Sequence, residues 1–193
     1  TVERAAALAP EHLSCYGLKV EEGTPLWEMR DSADLPGDDE QADMYLWAVE
    51  RLGALGYEQY EISNFARPGF ASRHNLKYWY LEEYAGFGPG AHSDLGDVRY
   101  SYCRDLAAYC RGVETGENII DYSEHLTDRD RDIEYIMLGL RTVHGVARRE
   151  FEYRCRLPFA PVEEVLARFA ASGHARREGE RWRLTPEGFL LSN

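Results

Sequence analysis

His12-Leu13-Ser14-Cys15-Tyr16-Gly17-Leu18 alternates in period two, with His12, Ser14, Tyr16 and Leu18 on one face and Leu13, Cys15 and Gly17 on the other. That is the pattern of a β-strand. It leaves through Glu21-Glu22-Gly23-Thr24-Pro25-Leu26, rich in turn residues, into an acidic loop from Asp31 to Asp39 that contains Pro36-Gly37. Beyond the loop, Tyr45, Ala48, Val49, Leu52 and Leu55 recur at helical spacing. Asp38 or Asp39 can cap a helix over about 39–55, and Gly56 stands where a left-handed terminating residue belongs. Tyr57-Glu58-Gln59-Tyr60-Glu61-Ile62 then reads as a second strand. Strand, helix and strand with short joints predict a βαβ unit and a parallel sheet, hence an α/β fold.

Downstream, Ser63 to Ser93 is dense in aromatics, Gly and His without a clear period. Such irregular segments beside strand ends are where α/β proteins hold ligands. After Tyr100 the pattern turns helical, first over 103–111, then through a polar connector containing Gly112, Gly116 and Asn118. Thr127 can cap the next helix, with Asp130 completing a short capping box and Ile133, Ile136, Met137 and Leu140 as its apolar stripe. A further helix covers about 148–155. Pro161 opens another, in which Val162, Val165, Leu166, Phe169 and Ala170 face inward and Gly173 closes it. Ala175 to Thr185 reads as a hairpin around Glu178-Gly179-Glu180, and Pro186 starts a last short helix. Three helices followed by a hairpin make a winged-helix-like arrangement.

The 193 residues carry 22 Lys+Arg against 34 Asp+Glu, a net charge of −12. No apolar run approaches the ~20 residues of a membrane span, and no secretory signal opens the chain. The charge is uneven: residues 141–193 hold ten Arg and seven Asp/Glu, so the remainder carries −15. An acidic body disfavours general nucleic-acid binding, while Arg176, Arg177, Arg181 and Arg183 on the hairpin keep a winged-helix nucleic-acid module as a rival class. The hairpin's interleaved glutamates oppose that rival. Cys15, Cys103, Cys110 and Cys155 have no zinc spacing and read as reduced thiols of a cytoplasmic protein.

His74 is the strongest candidate for a site. Tyr78 and Trp79 lie beside it, and an imidazole among flat aromatic rings suits a planar macrocycle such as haem, with His74 on the iron. His92 is a second candidate, at the end of Gly86-Phe87-Gly88-Pro89-Gly90. That glycine string fits a strand under close backbone packing better than a phosphate loop, since no capped helix follows it. Glu21-Glu22 and Glu82-Glu83 are adjacent pairs that point apart on a strand and make no catalytic dyad.

Taken together, these strings resemble one family. His12 to Leu18, followed by Glu22-Gly23-Thr24-Pro25-Leu26, is similar to a late strand of the radical SAM core in the oxygen-independent coproporphyrinogen III oxidase (HemN) superfamily. Tyr60-Glu61-Ile62-Ser63-Asn64-Phe65-Ala66, His74-Asn75-Leu76-Lys77-Tyr78-Trp79 and Gly88-Pro89-Gly90-Ala91-His92-Ser93 narrow the resemblance to its HemW-like haem-chaperone branch. Met137-Leu138-Gly139-Leu140-Arg141, Gly145-Val146 and Leu184-Thr185-Pro186-Glu187-Gly188 resemble that family's C-terminal domain. The resemblance implies the last strands of an incomplete (β/α) radical SAM barrel over residues 1–100 and a mainly helical, winged-helix-like domain over 101–193.

It also implies a haem site on His74, Asn75, Tyr78 and Trp79, with Lys19 and His92 bordering the pocket for S-adenosylmethionine. The family's CxxxCxxC motif, which holds a [4Fe–4S] cluster, is not written in this chain, so cluster and S-adenosylmethionine belong to a longer parent. The expected function is haem binding and delivery to apo-haemoproteins. The enzymatic rival is oxygen-independent coproporphyrinogen III oxidation. The start at Thr1, without Met, is expected of a piece of that parent. A barrel cut before its late strands leaves a strand edge bare, so self-association is expected; a monodisperse monomer by light scattering would contradict it.

Overall fold

In the computed structural model, which describes residues 1–32 and 35–192, the first strand is β1 (His12–Ser14), preceded by a short helix α1 (Val2–Ala6). Ala33 and Asp34 of the acidic loop lie outside the described residues. Helix α2 (Asp38–Ala54) forms where the apolar spacing places it, and Gly56, at φ +86°, supplies the left-handed residue after it. Its cap is Gly37 rather than either aspartate: the Gly37 N–H donates to the Glu40 carboxylate at 3.0 Å. Asp38 and Asp39 instead occupy the first turn, where negative charge suits the exposed N–H groups.

The parallel sheet expected of the βαβ unit does not form. The run from Tyr57 to Ile62 breaks after β2 (Glu58–Gln59), and the chain reverses into β3 (Asn64–Ala66). β3 pairs antiparallel with β1 on one side (Leu13 opposite Phe65) and with β2 on the other (Gln59 opposite Phe65). β1 and β2 therefore run in the same direction but are separated by β3. Among the described residues every strand pair is antiparallel. The physical reason is the turn: Glu61 and Ser63 close it locally, the Ser63 N–H donating to the Glu61 carboxylate at 2.8 Å.

Helix α3 (Arg73–Trp79) follows, its Asn75 N–H capped by the Ser72 hydroxyl at 3.3 Å. A second antiparallel sheet, β4 (His92–Leu95), β5 (Val98–Tyr102) and β6 (Ile120–His125), occupies a region read from sequence as irregular and helical. Helix α4 (Leu106–Thr115) is inserted between β5 and β6, and the supposed polar connector ends in β6. Gly86 packs against this sheet with no room for a side chain, since a Cβ there would lie 2.2 Å from the His92 carbonyl oxygen.

Helix α5 (Asp128–Leu140) starts at the Thr127–Asp130 capping box, as its sequence requires. Its inward face is Tyr135, Ile136 and Leu140, whereas Ile133 and Met137 from the expected stripe are exposed. Helices α6 (Arg148–Cys155) and α7 (Ala160–Ala171) and the hairpin β8 (Ala175–Glu178) and β9 (Arg181–Leu184) follow their sequence signals, except that Val165, expected inward on α7, is exposed. A short strand β7 (Val146–Ala147) extends the hairpin in the order β7-β9-β8, and α8 (Pro186–Leu190) closes the chain.

The main core joins the two ends of the molecule. Val146, Phe151, Phe159, Leu166, Trp182 and Phe189 come from the C-terminal elements, yet Ile62 is buried with them and Tyr45 and Trp79 pack against them. A smaller core of Leu52, Tyr57 and Phe65 lies under the first sheet. The site described next sits at the seam where Ile62 and Trp79 meet the C-terminal elements.

Candidate functional site

A cavity of about 670 Å³ opens at that seam, within the size range of small-molecule pockets. Its walls come from five places: the Tyr16–Lys19 segment after β1, Gln41 of α2, the β2–β3 turn, one face of α3, and the end of α5. Asn75, Tyr78 and Trp79 lie three and four residues apart on α3, so the helix presents all three on one side. Trp79 packs into the main core, which fixes the orientation of this face.

Buried polar groups hold the cavity floor. Glu61 is 1% exposed, and its carboxylate accepts from the Ser63 N–H and from the Asn64 amide. Asn64 in turn accepts from the Ser14 hydroxyl at 2.5 Å, linking the turn to β1. The Tyr60 hydroxyl lies 2.7 Å from His12 Nε2 and accepts from the Asn75 amide at 3.3 Å. Burial pushes the Tyr60 phenol up from its ordinary value, the Asn75 hydrogen bond working against it, so the hydroxyl stays protonated at neutral pH. Tyr45 donates to the Ile62 carbonyl at 2.9 Å, and burial pushes its phenol up to about 12.

Of the residues picked out from sequence, Lys19, Asn75, Tyr78 and Trp79 line this one cavity. His74 is next to it rather than in its lining: it is exposed, and its Nε2 lies 3.0 Å from the Tyr78 hydroxyl, with the two rings edge to face at 5.0 Å. Tyr78 also meets Tyr84 edge to face at 4.5 Å, so an aromatic row runs along the rim. His92 is not brought to the cavity; it is exposed on β4, opposite Ser101. Sequence reasoning missed Glu61, Asn64 and Arg141, although each lies inside a string quoted above for the family resemblance.

Haem suits what is here. Tyr78 and Trp79 offer apolar ring surface, and His74 offers one imidazole at the rim. A [4Fe–4S] cluster does not fit: the four cysteines lie on separate segments, and no group of three or more metal-ligating side chains occurs among the described residues. No step is therefore assigned to a cluster in this chain.

The HemN C-terminal domain family matches residues 126–191. The heme chaperone HemW of Bacillus subtilis is 34% identical over 197 residues, spanning 100% of this chain and 52% of that protein. HemW of Lactococcus lactis is 33% identical over 195 residues, 100% of this chain and 51% of its own. A mitochondrial radical S-adenosyl methionine domain-containing protein 1 of Danio rerio is 32% identical over 88% of this chain and 40% of that protein. The chain thus spans about half the length of the curated relatives it matches. Among solved structures, the coproporphyrinogen III oxidase HemN of Escherichia coli, titled a radical SAM enzyme, superposes with a TM-score of 0.73. That match is 22% identical and covers 100% of this chain and 48% of that one, a likeness of fold.

Proposed function

We propose, from its likeness to HemW along its whole length and the match of residues 126–191 to the HemN C-terminal domain family, that this chain is the haem-holding part of a haem chaperone. One observation carries the reading: α3 sets Asn75, Tyr78 and Trp79 into a single cavity and leaves the His74 imidazole at its rim on the Tyr78 hydroxyl. Tyr78 and Trp79 would give the macrocycle apolar contact. His74 would ligate the iron through Nε2, which requires the Tyr78 hydroxyl to release it. The bound haem supplies an iron centre that an apo-haemoprotein can accept.

In a longer parent, a [4Fe–4S] cluster and S-adenosylmethionine would accompany this work in the cytoplasm. No helix among the described residues is long and apolar enough to cross a membrane. We read residues 1–100 as the last part of a radical SAM barrel and 101–193 as a winged-helix-like domain, with β5 straddling the division. The hairpin arginines support the absence of nucleic acid among the partners. Arg176 and Arg183 share Glu178, Arg177 pairs with Glu163 and Arg181 with Glu150, so three carboxylates offset most of the charge of four arginines. Self-association stays part of the proposal, supported by β1 and β2, each of which has one bare edge among the described residues.

The test is a haemin titration of this chain followed at the Soret band, with His74→Ala beside it. Saturable binding that weakens at least about tenfold in the variant, the loss of one ligand bond or strong hydrogen bond, is expected. Equal binding by both proteins would remove His74 as a ligand and return weight to the oxidase reading, for which haem is not the cargo.

A further inference from the structure

The cavity contains two cations that the reading above does not use. Lys19 reaches it from the segment after β1, and Arg141 from the residue that ends α5. Arg141 is fixed by its backbone, whose carbonyl accepts from the Ile62 N–H at 3.1 Å, and by its side chain, which donates through Nη2 to the Ser192 carbonyl. The Nε–H of the same guanidinium is shut away from water and finds no hydrogen-bond partner among the described residues. A buried donor of that kind costs about 1–3 kcal/mol while it stays unmade.

Among the described residues the only carboxylate in the lining is Glu61, and both its oxygens already accept, from Ser63 and Asn64. Lys19 and Arg141 against Glu61 leave the lining at +1, in a chain whose total is −12. A cavity with one apolar aromatic wall, Tyr78 and Trp79, and a separate cationic wall suits an amphipathic ligand that is flat and apolar on one side and anionic at its edge.

We propose that Arg141 and Lys19 form a carboxylate subsite of this cavity, taking the propionate edge of a tetrapyrrole whose ring lies against Tyr78 and Trp79. The assignment rests on the haem reading for its ligand but not on His74. A guanidinium can present parallel N–H groups to a carboxylate, and such charge-assisted bonds are worth roughly twice a neutral one. Lys19 adds a point charge to the same lining. Arg141 also makes the recognition depend on the C-terminal elements being docked, since α5 and the end of the chain hold it.

The experiment compares haemin, haemin dimethyl ester and metal-free protoporphyrin on the wild-type chain, Arg141→Gln, Lys19→Gln and His74→Ala, by absorbance and by quenching of tryptophan fluorescence. The expected result is about tenfold weaker binding of haemin and of protoporphyrin in R141Q and K19Q, with the ester indifferent to both changes; one lost charge-assisted bond gives that factor. His74→Ala should weaken haemin and leave protoporphyrin alone. R141K should recover part of the loss.

Two results overturn the subsite: free acid and ester binding alike in the wild type, or both glutamine variants binding haemin as the wild type does. Haemin binding that depends on His74 and not on the cations leaves the haem reading standing without the subsite. Protoporphyrin binding that depends on the cations, with no effect of H74A on haemin, does the reverse. Binding of none of the three ligands sinks both. If R141Q melts early by circular dichroism, the exposed Lys19 decides through K19Q, which touches no packing.

Discussion

Gly145→Ala should unfold this protein at a far lower temperature than any surface change. Gly145 sits at φ +69°, where an L side chain is strained by about 1–2 kcal/mol. A Cβ there would also stand 2.0 Å from the Trp182 carbonyl oxygen and 2.8 Å from Arg183 Cγ. The obstacle is backbone and cannot swing aside. Trp182 is held in the ladder opposite Val146, and both are buried in the main core. Relief requires β7 to leave β9, so the total cost should be on the order of 4 kcal/mol or more. In a chain of this size that is a fall in Tm of roughly 8–16 °C. Gly179→Ala is the control. It has a similar φ of +62° at the hairpin turn but open space around it, and should cost only about the strain, 1–2 kcal/mol. Equal melting of the two variants would show that the close approach is relaxed in solution.

The same substitution should be felt in the site. The segment before Gly145 braces the cavity floor: Thr142 bridges Glu61, and the Val143 N–H donates to the Tyr60 carbonyl at 3.2 Å. Displacing β7 therefore loosens the turn that carries Glu61 and Asn64.

What the sequence revealed and what it hid divides by the range of the forces involved. Helices α2, α5 and α7 and the β8–β9 hairpin are specified by neighbours: a cap, a stripe, a glycine after the last turn. All of them are readable in one window. β6 is not, because every residue from Ile120 to His125 is exposed and its strand state comes entirely from pairing with β5. The sheet direction was hidden for a related reason. Tyr57 to Ile62 is apolar enough to pass for one strand, and only the buried Glu61 carboxylate, closing on Ser63 and Asn64, turns it into a hairpin. In the site, Tyr78 and Trp79 stood out as flat rings beside His74 and Asn75 through the family resemblance alone, whereas helix α3, which gathers the three on one side, left no clear period to read. Arg141 and Lys19 come from distant parts of the chain, and no local pattern could have joined them. His92 looked equivalent to His74 in composition, but the β4–β5 pairing carries it elsewhere.

Asp94→Asn is the second change expected to cost heavily, because the β4–β6 sheet is fastened by charge. None of its strand residues belongs to either apolar core, and what β4 buries is Ser93 and Asp94. The Asp94 carboxylate accepts from Arg131 at 2.8 and 2.5 Å and from Arg99 at 3.0 Å, while Arg99 also grips Glu134 with both nitrogens, at 2.8 and 3.0 Å. Two arginines and two acids thus tie β4 and β5 to α5. An asparagine keeps the shape of Asp94 but turns an N–H₂ or a neutral oxygen toward two guanidinium groups. Breaking a fully buried pair costs about 3–5 kcal/mol. Glu134 remains and both arginines keep some water, so about 2–3 kcal/mol at pH 7 is expected. The pH dependence has a definite sign. The Arg131 hydrogen bonds, helped by Arg99 and opposed by burial, hold the Asp94 carboxyl below its usual value. A depressed folded value gives stability that is complete above about pH 4, where the unfolded carboxylate is already ionised, and is lost as pH falls through the folded value. Urea melts of wild type and D94N should therefore be farthest apart from pH 5 to 8 and converge in acid. Curves that stay parallel down to pH 2, or coincide at pH 7, would mean that the sheet is held by something other than this network.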